Sequence, residues 1–193
     1  LLIHPTRPST MWAGTAGGGV WVTTNSGGTW RALNSLLTAL PIGSMALDPT
    51  NPNRLYAGTG EGFFDSVAGT SNLAAMRGAG IFESSNGGLS WSQMPSTRTW
   101  GFVNRIVIDP RNSSILLVAT TSGIYRSTNR GQTFTRTDTR NTMDLDMHPT
   151  DSSRVIAGTG TGLALYSTNG GQSFSIASGV SRAVRVETAY YRA

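Results

Sequence analysis

The chain has 193 residues, of which 38% are hydrophobic and 13% charged, with 24 glycines and no cysteine. Ordinary domains are about 45–50% apolar and about 25% charged, so this balance excludes a highly charged disordered tail, and the missing thiols exclude a disulfide framework, a Cys zinc site and a cysteine nucleophile. The net charge of +5 rests on 15 basic residues, all arginine, spread from Arg7 to Arg192 rather than gathered into the patch that nucleic acid requires, so nucleic-acid binding is not expected.

Three markers recur in one order along the chain. Unit one, residues 1–40, opens with Ile3-His4-Pro5, continues to Trp12-Ala13-Gly14-Thr15 and closes on Thr23-Thr24-Asn25-Ser26-Gly27-Gly28-Thr29-Trp30. Unit two, 41–101, repeats them as Leu47-Asp48-Pro49, Tyr56-Ala57-Gly58-Thr59 and Ser84-Ser85-Asn86-Gly87-Gly88-Leu89-Ser90-Trp91, with an insertion at 60–79. Unit three, 102–141, carries Ile108-Asp109-Pro110, Val118-Ala119-Thr120 and Ser127-Thr128-Asn129-Arg130-Gly131-Gln132-Thr133-Phe134. Unit four, 142–182, carries Met147-His148-Pro149, Ile156-Ala157-Gly158-Thr159 and Ser167-Thr168-Asn169-Gly170-Gly171-Gln172-Ser173-Phe174. The period is about 40 residues, the signature of an array of supersecondary units.

Each unit reads as four short strands bounded by Gly, Pro, Asn and Ser; in unit three they are expected at 104–108, 115–119, 123–127 and 133–136. Four antiparallel strands per unit is the pattern of a propeller blade. The expected fold is all-β, a β-propeller of about four four-stranded blades forming an arc of a larger propeller, which closes with further blades or another chain. A further inner strand is expected at 183–188. The chain opens on Leu1 inside the pattern, which predicts a piece of a longer or processed protein; if that parent is secreted, its signal segment is expected upstream. No apolar run approaches the ~18 residues of a membrane helix, so no membrane insertion is expected.

The third marker, Ser/Thr-x-Asn-x-Gly-x-Ser/Thr-Trp/Phe, resembles the Asp-box or BNR repeat of sialidases, sortilin-type receptors, family 74 glycoside hydrolases and photosystem II assembly factors. The resemblance covers nearly the whole chain and implies a propeller in which the box is a hairpin turn remote from any catalytic centre. This sequence departs from the pattern by placing Asn25, Asn86, Asn129 and Asn169 where the family has acids. Asn can still close an Asx-type turn, but the carboxylates of a calcium site are gone, and neither metal nor cofactor is expected. Trp30, Trp91, Phe134 and Phe174 recur in phase with the boxes and read as anchors between blades.

Residues that break the repeat carry the functional expectation. By strand parity the turns between strands one and two and the boxes share one face, while the two-three loops and the links between blades share the other. The insertion therefore faces the same way as residues 92–102, and Phe63, Phe64, Arg77, Arg98, Trp100 and Phe102 are the candidate binding residues, aromatics and arginines being the types enriched at hot spots. A glycosidase needs two flanking carboxyl groups, for which the candidates are Glu61, Asp65, Asp144 and Asp146. Asp146 stands opposite Val107 and Ala46, and Asp144 opposite Arg105 and Ser44; carboxylates in a strand that is otherwise apolar need partners, either an Arg of a neighbouring blade or a ligand. No Ser-His-Asp pattern, phosphate loop or metal signature is present. The leading expectation is a non-catalytic module of a bacterial extracellular or envelope protein binding a protein or glycan. The alternatives are a fragment of a BNR-repeat glycoside hydrolase or an assembly factor docking on a protein complex.

Overall fold

The computed structural model describes residues 1–33, 37, 40–62, 75–180 and 186–190. Among the described residues sixteen strands form four sheets in chain order. The first sheet holds β1 (Leu2–Ile3), β2 (Met11–Thr15), β3 (Gly19–Thr23) and β4 (Arg31–Ala32); the second β5 (Ile42–Leu47), β6 (Leu55–Thr59), β7 (Ile81–Ser84) and β8 (Ser92–Gln93). The third holds β9 (Val103–Ile108), β10 (Leu116–Thr120), β11 (Gly123–Ser127) and β12 (Thr135–Asp138); the fourth β13 (Thr142–Met147), β14 (Val155–Thr159), β15 (Ala164–Ser167) and β16 (Ser175–Ile176). Every strand pairs antiparallel with its neighbour in sequence, so each sheet is one blade. Among the described residues no strand pairing joins the first blade to the fourth.

The blades pack face to face, which explains why their second strands read as continuous apolar runs. β10 is buried along its whole length, and so is β6, whereas β2 of the first blade is buried only at Trp12. Three cores fill the interfaces. One joins Trp12, Val20 and Leu33 to Leu55, Phe82 and Trp91; the next joins Tyr56 and Ile81 to Ile106, Leu116 and Val118; the last joins Leu117 and Ile124 to Leu145, Val155 and Leu165. The glycine of the second marker sets the approach: a Cβ on Gly14 would collide with Ile42, one on Gly58 with Val103 and one on Gly158 with the Val186 carbonyl.

The box turns are four copies of one hydrogen-bond pattern. The Asn129 side-chain carbonyl accepts the Thr133 N–H at 3.0 Å and the Ser127 hydroxyl at 2.9 Å, while its amide donates to the Thr133 hydroxyl at 2.9 Å. Asn25, Asn86 and Asn169 do the same with their own neighbours. This pattern holds Thr133 and Phe134 in the turn, so the fourth strand of the third blade begins at Thr135, two residues later than the sequence predicts. Ser26, Gly87, Arg130 and Gly170 each donate a backbone N–H to the one-two turn of their own blade, at Ser9, Asn53, Ser114 and Ser153. The boxes and the one-two turns thus share a face, as parity requires.

The box aromatics divide. Trp91 is buried in the first interface, and Phe134 and Phe174 pack against the second and third. Each fills the gap between its own blade and the one before. Trp30 departs from the expectation of a core anchor: it is 37% exposed, because no earlier blade within these residues covers it.

His4 and His148 take over a structural task from aspartate. Asp48 and Asp109 each accept two successive backbone N–H groups in the one-two turn, and the Nδ1 atoms of His4 and His148 accept the equivalent pairs. His4 is buried, and desolvation together with the Arg7 charge lowers its pKa.

Candidate functional site

On the face opposite the boxes, the second and third blades bound a cleft of about 340 Å³ lined by Arg77, Trp100, Phe102, Tyr125 and the two-three turn Thr120–Ser122. The local sequence builds it in steps. Glu61 donates its backbone N–H to Met76, and Thr59 receives the Ala79 N–H on its hydroxyl, which draws the ends of the insertion together. Gly78 and Gly80 then donate to the Gly101 and Trp100 carbonyls, pinning the returning end against the link to the third blade. The Arg77 guanidinium lies over Gly101, 2.7 Å from where a Cβ would stand.

The result is a cation against an aromatic wall. The guanidinium carbon of exposed Arg77 lies 5.4 Å from the Phe102 ring centroid, within the range of a cation–π contact. Trp100 packs on Tyr125 at 4.4 Å and Phe134 at 5.0 Å between centroids, and it is held half-buried against the second core. A half-buried indole fixed from behind is a low-entropy surface for a partner.

Of the predicted binding residues, the structure brings Arg77, Trp100 and Phe102 together. Arg98 is exposed at the end of a single 3-10 turn, Pro95–Thr97, and does not line the cleft. Phe63, Phe64 and Asp65 lie outside the described residues. Glu61 is half-buried at the foot of the insertion. Tyr125 and the Thr120–Ser122 turn are not among the predicted residues; parity places that turn on this face, whereas Tyr125 lies on β11 and joins the cleft through Trp100.

Asp144 and Asp146 are bound into the inner wall. Asp144 lies 3.6 Å from Arg105 of the neighbouring blade and accepts the Thr188 N–H at 2.7 Å. Asp146 accepts the Met147 and Tyr190 N–H groups, both at 2.9 Å. The register explains the column. At the repeat position of Asp144, Ser44 accepts the Ile106 N–H and Arg105 donates to the Leu145 carbonyl, each reaching the inner strand of the next blade. Residues 186–190 thus run beside β13 as a next inner strand would, although no strand is formed there.

A comparison with protein families matches residues 79–189 to Sortilin-Vps10, described as sortilin, neurotensin receptor 3. No curated protein sequence matches the chain. Among solved structures, an ancestral GH74 enzyme superposes over 92% of the chain with a TM-score of 0.70 at 22% identity. A GH74 xyloglucanase from Xanthomonas campestris covers 94% with a TM-score of 0.69 at 19% identity. YCF48 bound to D1 peptide covers 91% with a TM-score of 0.55 at 16% identity. The chain spans 25% and 30% of the two GH74 chains and 55% of the YCF48 chain.

Proposed function

The chain belongs to the Sortilin-Vps10 family, and from that premise we propose that it is a non-catalytic propeller module that captures a polypeptide segment in the cleft of Arg77, Trp100 and Tyr125. The observation that carries this reading is the juxtaposition of an exposed guanidinium and a rear-supported indole in a cleft on the face where the repeat is broken. Aromatic and Arg groups of this kind anchor short segments, because they bury large areas at small entropic cost. One structural neighbour was solved with a peptide bound, which supports the class of partner. Association through the cleft fits a protein working outside the cell or in the envelope, and fractionation of the native source tests that location.

A glycan-acting reading draws on the GH74 neighbours, and against it stands the engagement of Asp144 and Asp146 with backbone N–H groups. The test is a peptide-library selection on the chain, followed by affinity measurements on the Arg77→Ala variant and an assay for reducing ends released from xyloglucan. Selected peptides should lose at least tenfold in affinity on Arg77→Ala, with no sugar release. Peptide binding indifferent to Arg77, or release of reducing ends, overturns the proposal.

A further inference from the structure

The repeat supplies a control, because the positions that line a cavity at one blade junction hold buried core residues such as Val22, Leu33 and Met94 at the others. Between the third and fourth blades a cavity of about 280 Å³ is walled by Arg126, Thr128, Thr133, Thr135, Thr137 and Gln172. The repeat positions of Arg126 hold Val22 and Glu83 in the first and second blades, those of Thr137 hold Leu33 and Met94, and that of Gln172 in the second blade holds Leu89. The box turn requires a hydroxyl at Thr133. It requires nothing of residues 135 or 137, and Arg126 meets the next blade through its Nε alone.

That chemistry is hydrogen-bond donation around one fixed cation. The Arg126 Nε donates to the Gly170 carbonyl at 2.9 Å, which anchors the guanidinium and leaves its two terminal nitrogens without a bond among the described residues. Thr133 already accepts the Asn129 amide, so its own proton remains to be donated. Thr128 and Thr135 are exposed, and their hydroxyls make no bond among the described residues; Thr137 reaches only a long 3.4 Å contact with the Ile124 carbonyl. No carboxylate lines the cavity. The wall is also extended here, since β12 has four residues and β4, β8 and β16 two each. Thr135 pairs with Arg126, and Thr137 sits at an irregularity that sets Asp138 opposite Ile124, yet both threonines line the cavity.

We propose that this groove binds a hexose carrying a sulfate or phosphate ester, with the ester oxygens on the Arg126 guanidinium and the sugar hydroxyls on Thr128, Thr135 and Thr137. An ester of this kind presents only acceptor oxygens outward and so matches a donor-lined cavity, and a guanidinium engages two such oxygens at once. The site begins on the box face, goes beyond the peptide reading above and is independent of it.

The test is a titration of the isotopically labelled chain, followed by amide shifts, with glucose 6-sulfate, glucose 6-phosphate, glucose and inorganic sulfate. Either ester should move resonances of residues 126–137 and 172 and leave those of 22–33 and 89 in place. It should bind at least tenfold tighter than both glucose and inorganic sulfate, and the two esters compared with each other identify the preferred oxyanion. Thr135→Val, at an exposed position, should weaken the ester at least fivefold, and Arg126→Gln should abolish binding. Equal affinity for glucose or for inorganic sulfate, equal shifts in the first groove, or full affinity in Thr135→Val overturns the proposal.

Discussion

The two faces of this molecule are built from the same repeats yet behave differently. On the box face, four asparagines make the same three side-chain hydrogen bonds in four blades. On the opposite face, Arg77 at the returning end of the insertion, the link Thr99–Phe102 and the turn Thr120–Ser122 meet between the second and third blades. A residue kept in every blade answers a demand every blade shares, which is closing a turn or filling an interface. A residue found in one blade answers to something else. Stability should therefore follow the repeated positions and binding the unrepeated ones.

The largest effect expected from that contrast is at the box aromatics. Trp91 is 7% exposed in the first interface and Trp30 is 37% exposed. Trp91→Ala should cost about 3–5 kcal/mol, as large-to-small changes in a core do. Trp30→Ala should cost below about 1 kcal/mol. Chemical denaturation of both variants checks this, and equal costs would mean that the box aromatic stabilises its own turn rather than the junction with the preceding blade.

Asn129→Ala comes next. It removes three hydrogen bonds from a partly exposed turn and should cost about 1–2 kcal/mol, read from the shift of the denaturation midpoint, while leaving peptide affinity unchanged. Asn129→Asp keeps the acceptor for the Thr133 N–H, so it should recover most of that loss.

His4 sharpens the contrast through pH. Its Nδ1 accepts the Thr6 and Arg7 N–H groups, and burial, reinforced by Arg7, lowers its pKa from the ordinary 6.5. The unfolded chain then binds the proton more readily than the folded one. The stabilisation is fully present above about pH 6.5 and is lost as pH falls toward the lowered value. Denaturation at pH 7.5 and 5.5 should show this loss in the wild type. His4→Asp, the residue used by the second and third blades, should remove it from that window.

Tyr56→Phe should have the smallest effect. The phenol is fully buried between the second and third blades and its hydroxyl has no hydrogen-bond partner among the described residues. Removing it should change stability by less than about 0.5 kcal/mol or raise it slightly, since an unsatisfied buried polar group contributes nothing favourable.

The repeats made the blades legible because each marker is a local demand: a proline turn, a glycine under the next blade, an asparagine closing a hairpin. The same logic carried Arg77, Trp100 and Phe102 to one face, since parity needs only a strand count. Tyr125 escaped because it repeats as a strand residue and becomes part of the cleft only through Trp100, which packs on it from another blade. Asp144 and Asp146 looked out of place in an otherwise apolar strand. Their explanation lies 44 residues away at Thr188 and Tyr190, a contact that no local pattern announces.

The central claim is that peptide binding resides in the unrepeated cleft and that the box asparagines serve stability. Its most direct test is a paired measurement of peptide affinity and melting temperature on Arg77→Ala and Asn129→Ala. The account predicts at least a tenfold loss of affinity with an unchanged melting temperature for the first, and a lowered melting temperature with unchanged affinity for the second. Loss of affinity in Asn129→Ala at an unchanged melting temperature would put the binding surface on the box face and contradict it.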